Sequence, residues 1–149
     1  MYHSILVPLD GSEMAESILN HVQDLARMDQ AKVTLLQVEE APLMLGRDEV
    51  IDTNAYKKHL KKRKKRVKSY LLNLVENLRE SGIEAHYKIG YGPVIKSIMD
   101  IAEEEKADLI AMATHGFVGL SRSIYGSVAA GLVQRVHCPI LITRRNGND

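Results

Sequence analysis

Apolar positions along this chain follow two rhythms. "YHSILVPL" (2–9) is a continuous apolar run closed by the turn residues "DGS", the pattern of a strand buried on both faces. Ser12 then stands where a helix N-cap belongs, with Glu13 near the positive end of the helix dipole. Ala15, Ile18, Leu19, Val22, Leu25 and Ala26 recur at helical spacing. "AKVTLLQV" (31–38) predicts a second strand, and the polar stretch from roughly 39 to 54 a loop. Tyr56, Leu60, Val67, Leu71, Leu74 and Leu78 form the apolar stripe of a long helix, interrupted by Arg63 and ended by Gly82. "IEAHYKI" (83–89) predicts a third strand, with more alternation than the first two. "GYGP" turns the chain, and Pro93 suits the first turn of a helix whose buried face is Val94, Ile95, Ile98, Ile101 and Ala102. "ADLIAMA" (107–113) predicts a fourth strand, a helix follows near 126–137, and "PILIT" (139–143) is a fifth strand.

Strand and helix alternate four times before a closing strand. That order predicts an open parallel sheet with helices on both faces and right-handed crossovers. The chain has 149 residues, 45% of them hydrophobic, and shows no linker, internal repeat or low-complexity segment apart from one basic run. Residues 1–149 are therefore expected to form a single domain. No apolar run reaches the roughly 18 residues needed to cross a bilayer. The N-terminus lacks a basic leader and a small-residue cleavage site, so no secretory signal is expected. Cys138 is the sole cysteine, which excludes an internal disulfide. These features together lead us to expect a cytoplasmic protein.

Charge changes the picture more than composition does. The net charge is only +1, from 20 Lys/Arg against 19 Asp/Glu, but residues 57–68, "KKHLKKRKKRVK", hold nine cations and no acid. The remainder, 11 cations against 19 acids, carries −8. The cations sit early in a helix, where the dipole disfavours them. A solvated face screened by the acids of 48–52 would explain the run; so would contact with an acidic protein, an anionic membrane surface or nucleic acid. No aromatics are interleaved for base stacking, so sequence-specific nucleic-acid binding is not expected.

Candidate chemistry lies at the carboxyl ends of the strands, where open parallel sheets bind ligands. The stretch "MATHGFVGLSRSIYGSVAAG" (112–131) runs the fourth strand into Gly116 and places Gly126 and Ser127 at the expected head of the next helix. Gly116 lets the backbone approach a ligand closely. Free N–H groups and the dipole at the helix head favour an anion, and the Ser127 hydroxyl adds a donor. By spacing alone, the same residues serve equally as a turn, a break and an N-cap. The sequence has neither G-x-x-x-x-G-K-[ST] nor a G-x-G-x-x-G after the first strand, which argues against standard P-loop and dinucleotide sites. His115 reads as a solvated turn histidine, because no second acid, Cys–His pair or metal-ligand cluster converges on it in sequence. Cys138 reads as a small buried hydrophobe and the six methionines as core filler.

Over its whole length the chain resembles universal stress proteins of the UspA superfamily. The resemblance rests on "ILVPLDGSE", "VTLLQV", "GYGP", "ADLIAMATHG" and "YGSVAAGLVQRVHCPILIT", in the family's order. Nucleotide-binding members carry G-x-x-G, nine residues, then G-[ST]. Here the stretch is Ala113-Thr-His-Gly116, nine residues, then Gly126-Ser127, so the first glycine alone is replaced. The resemblance implies a Rossmann-like, adenine nucleotide alpha hydrolase-like fold with five strands in the order 3-2-1-4-5 and a crevice between strands one and four. It implies bound ATP, with Asp10 facing the nucleotide and helping to hold Mg²⁺. Pro8 and Val38 would line the adenine end, Met112 and Ala113 the sugar, and Gly116, Gly126, Ser127 and Val128 the phosphates. It further implies a homodimer through the last strand. The function expected is a nucleotide-dependent switch or sensor in the stress response, with at most slow hydrolysis and no catalytic residue assigned. The alternative is a nucleotide-independent dimeric adaptor acting through its surface or the basic helix at 57–68. An adenylating transferase ranks third, since no S-G-G-x-D-S-type loop follows the first strand.

Overall fold

The computed structural model describes residues 1–40, 53–115 and 124–145. In chain order these form β1 (Ser4–Leu9), α1 (Glu13–Glu16), α2 (Leu19–Asp29), β2 (Lys32–Glu39), α3 (Thr53–Glu80), β3 (Ala85–Tyr91), α4 (Val94–Glu104), β4 (Leu109–His115), α5 (Ile124–Arg135) and β5 (Ile140–Arg145). The strands make one sheet, ordered β3-β2-β1-β4-β5, with every pairing parallel. This is the order the family resemblance implies, and β5 lies at an edge.

Two apolar layers sandwich the sheet, because alternate side chains of each central strand point to opposite faces. Ile5, Val7 and Leu9 of β1 and Val33 and Leu35 of β2 join α1, α2 and α3 on one face. Leu6 of β1, Leu36 of β2, and Ile110 and Met112 of β4 join α4 and α5 on the other. Each such aliphatic side chain contributes on the order of 1.5–3 kcal/mol by leaving water.

Strands β2 to β5 are displaced from the expected segments by one or two residues toward the C-terminus. Apolar residues just ahead of three of them, Ala31, Ile83 and Ala107, follow directly on the turns that end the preceding helices. Their N–H groups bond to the ends of the preceding helices: Ala31 to Ala26 O, Ile83 to Leu78 O and Ala107 to Ala102 O. At the other end, polar residues such as Glu39 and Thr114 stay in the ladder because their register partners continue.

The first helix is split, where the apolar periodicity suggests one. Ser17 N and Ile18 N bond three residues back, to Met14 O and Ala15 O, and this tight turn separates α1 from α2; the Ser17 hydroxyl adds a bond to Met14 O at 2.6 Å. Ser12 caps α1, its Oγ accepting from Ala15 N at 3.1 Å. Pro93 stands at the N-cap of α4 rather than inside its first turn. Gly82 ends α3 in the left-handed region, at φ +83°, with its N–H bonded to Arg79 O.

The amino ends of the strands are fastened by acids. Asp108 accepts from His3 N at 2.8 Å and Ser4 N at 3.0 Å, tying the start of β1 to that of β4. Asp29 accepts from Tyr2 N and pairs with the N-terminal amine, and these contacts hold its carboxyl below the ordinary value. Glu105, at the end of α4, lies 2.9 Å from both Lys88 of β3 and Lys32 of β2. Among the described residues, no helix is long and apolar enough to cross a membrane.

Candidate functional site

Toward its carboxyl end the sheet loses its pairing between β1 and β4, and Pro8 removes a donor there. His3 O accepts from Lys32 of β2, whereas Ser4 O accepts from Asp108 beside β4. Main-chain groups alternate in direction along a strand, so residues 4, 6 and 8 address β4. Pro8 has no N–H to offer there. Pairing of β1 with β4 accordingly stops at Leu6↔Ile110, although β1 stays paired with β2 as far as Leu9↔Gln37, and β4 with β5 as far as His115↔Arg145. Strand order reverses at this point, which is where open parallel sheets place a ligand crevice.

Asp10 stands exposed at the mouth of this crevice. Its Oδ1 accepts from Ser12 N at 2.9 Å and from the Ser12 hydroxyl at 2.5 Å, while Gly11 takes φ +87° to make the turn. Asp10 is therefore a turn acid, yet only one of its oxygens is committed; Oδ2 has no partner among the described residues.

Val38, near the end of β2, is half-buried beside the α4–α5 layer and pairs in register with Gly90 of β3. Its neighbours Gln37 and Glu39 point the other way, toward α3. There the Arg63 guanidinium donates to Glu39 Oε2 from Nη2 at 2.8 Å and from Nε at 3.0 Å. The arginine that interrupts the apolar stripe of α3 is thus a clamp between that helix and the end of β2. Gly11, Gln37, Glu39, Arg63 and Tyr70 line a cleft of about 320 Å³ on this side, and Gln37 Oε1 is buried there without a partner among the described residues.

Met112 and Ala113 of β4 are both buried and face opposite layers. The Met112 side chain joins α4 and α5, whereas the Ala113 methyl packs with α1 and α3. What either offers the crevice is main chain. The methyl that replaces the first motif glycine therefore points to the face opposite α5. Gly116 lies outside the described residues, as do residues 41–52 of the loop expected from roughly 39 to 54, with the acids proposed to screen the basic run; Glu39 instead closes β2 and Thr53 opens α3.

α5 begins at Ile124, two residues before the expected start. Gly126 consequently lies in its first turn, with Ser127 next and exposed, and Val128 buried. β4, α5 and β5 alternate in direction, which brings the head of α5 to the carboxyl end of the sheet with Pro8, Asp10 and Val38. His115 closes β4. Cys138 is half-buried against the α4–α5 layer, and burial pushes its thiol up, as suits an apolar filler. Among the described residues, no three His, Cys, Asp or Glu side chains cluster as a metal site would need.

An open, doubly wound parallel α/β sheet with a crevice at its switch point is the architecture that places ligands above the strand ends. The chain belongs to the universal stress protein family, which matches it over residues 1–144. It is 30% identical to universal stress protein MJ0577 of Methanocaldococcus jannaschii, covering 99% of this chain and 98% of that one. The solved MJ0577 structure superposes with a TM-score of 0.78 over 99% of both chains. Two further solved structures share the fold. One is a universal stress protein in complex with cAMP (20% identity, TM-score 0.66, 96% of this chain and 97% of that one). The other is the universal stress protein of Archaeoglobus fulgidus in complex with dAMP (22% identity, TM-score 0.62, 95% and 97%).

Proposed function

We propose that residues 1–149 are one cytoplasmic universal stress protein domain that binds Mg-ATP between β1 and β4 and acts as a nucleotide-dependent switch or sensor, with at most slow hydrolysis. The observation that carries this reading is the loss of pairing between β1 and β4 toward Pro8, at the same end of the sheet as the head of α5. The adenine nucleotides bound by the cAMP and dAMP complexes support the choice of ligand class. In this assignment Pro8 and Val38 border the base, the main chain of Met112 and Ala113 borders the sugar, and Gly116, Gly126, Ser127 and Val128 hold phosphates. The orientation of the Ala113 methyl, away from the α5 face, supports retention of binding despite the lost glycine. Asp10 fits a shared Mg²⁺, since its free Oδ2 would supply one ligand and the phosphates and water the rest. No residue is assigned a catalytic role. The domain is further proposed to pair through β5, an edge strand with Ile142 37% exposed and, on the adjoining α5, Val133 59% exposed.

Titration calorimetry with Mg-ATP, AMP and cAMP tests the site. Gly126→Val should abolish binding, and Ser127→Ala should weaken it by about 1–2 kcal/mol, the scale of one hydrogen bond to a charged group. His115→Ala should change little. Equal affinity in wild type and a folded Gly126→Val variant would place the nucleotide elsewhere. No binding by ligand-free wild type would favour the nucleotide-independent adaptor, a reading supported by the exposed cations of α3.

A further inference from the structure

Helix α3 runs far beyond what the core requires. From Asn54 to Arg66 no side chain is buried, and only Tyr56 is partly so; Val67 is the first to enter the core. Those 13 residues make about 20 Å of helix at 1.5 Å per residue. Their sequence works against them. Five like-charged pairs fall at i,i+4 (57/61, 58/62, 61/65, 62/66 and 64/68), and no acid occurs in α3 before Glu76. Of the nine cations, Arg63 alone forms an ion pair among the described residues. A face kept merely soluble would mix signs and gain from i,i+4 pairs.

Lys58, Lys61, Lys62, Lys65 and Arg66 spread over about 140° of the circumference, centred opposite Val67. All five are exposed. Lys62, Lys65 and Arg66 also line, with His59 and Ser69, a shallow depression of about 730 Å³ whose every lining side chain carries a hydrogen-bond donor. Tyr56 and Leu60 fall on the core side, so the cationic face has no apolar residue to enter a bilayer and no aromatic to stack a base. The cationic stripe is only about 18 Å long, roughly two Debye lengths at physiological salt. Beyond it the chain carries −8, which repels a long polyanion that overruns the stripe.

We propose that the exposed face of α3 from Lys57 to Lys68 docks a short acidic segment of a protein partner. Lysine ammoniums on flexible stems act as point charges, so recognition would depend on the density of carboxylates more than on their exact order. The surface lies outside the β1–β4 crevice, and the proposal stands whether or not nucleotide binds there.

The test is fluorescence anisotropy with a labelled decaglutamate peptide and the 149-residue chain, over a series of salt concentrations. Wild type should bind with an affinity that falls steeply as salt rises. The variant Lys61→Gln, Lys62→Gln, Lys64→Gln, Lys65→Gln should bind at least about tenfold more weakly, while the same four positions changed to Arg should retain binding. Removing as much charge elsewhere, with Arg27→Gln, Lys96→Gln, Lys106→Gln and Arg135→Gln, should cost much less. Circular dichroism checks that every variant keeps its helix. Equal losses in the two Gln variants would reduce the effect to net charge and overturn the proposal. So would absence of peptide binding by wild type, or tighter binding to a DNA duplex or to phosphatidylserine vesicles than to the peptide.

Discussion

Gly90 gives the sharpest test of packing beside the crevice, because a side chain there meets one specific atom. A Cβ at this buried position would lie 2.2 Å from Ser97 Oγ on α4, 3.3 Å from Ile101 Cδ1 and 3.4 Å from Val38 Cγ2. The first distance is impossible without movement; the other two are tight or ordinary contacts. Overpacking of this kind costs about 1–3 kcal/mol, and the lower entropy of an unfolded chain with alanine returns roughly 0.4–1. Gly90→Ala should therefore destabilise by about 1–2 kcal/mol, lowering a urea midpoint by roughly 0.5–1 M if m is about 2 kcal/mol/M. Ser97→Ala removes the clashing oxygen and leaves Ile101 Cδ1, the flexible end of a side chain, as the nearest atom at 3.3 Å. In that background Gly90→Ala should be close to neutral, giving a coupling of at least about 1 kcal/mol, above the few tenths expected of independent sites. Urea melts of the four proteins by circular dichroism measure it. The same penalty with and without the Ser97 hydroxyl would refute the reasoning.

Two further outcomes are expected. Lys88 first, then Lys32, hold the Glu105 carboxyl below its ordinary value of 4.5; a lowered folded value means stability that is present above that pH and lost as pH falls through the folded one. Wild type should thus exceed Glu105→Gln by about 1 kcal/mol near neutrality, with the gap closing in acid; a gap constant with pH would contradict this. Ile142→Lys should leave the fold intact and convert a dimer into monomer, since Ile142 is exposed while its neighbour Leu141 packs into the α1–α3 layer. Sedimentation of wild type as a monomer at micromolar concentration would dispose of the β5 interface.

Much of this molecule was legible from residue order. The continuous apolar runs of β1 and β2 announced strands buried on both faces, and Ser12 and Gly82 announced the limits of helices. What escaped depends on relations between distant segments. Arg63 broke the stripe of α3, but its partner Glu39 lies 24 residues away, and nothing local joins them. Pro8 was placed near the base by family resemblance alone; that it removes a donor on the β4 side follows only when both neighbours of β1, and the direction of its main-chain groups, are known. The break between α1 and α2 is local by contrast, in that Ser17 N and Ile18 N bond back three residues, and the apolar spacing does not mark it. Asp10 commits one carboxylate oxygen to the turn through Ser12, a bond that the resemblance did not foretell.

The Asp108 contacts to His3 and Ser4 span more than a hundred residues, and they set a schedule for folding. β1 is made first but sits in the middle. Its β2 side can be covered once Glu39 exists, whereas its β4 side waits for Leu109. At about 5–20 residues per second, that interval lasts roughly 4–14 s during synthesis. Throughout it, the nascent chain carries an uncovered strand edge at Ser4, Leu6 and Pro8, the kind of edge that recruits other chains. The last side of β1 to be covered is also the one where Pro8 offers no donor, so conditions that slow translation lengthen the exposure of that strand.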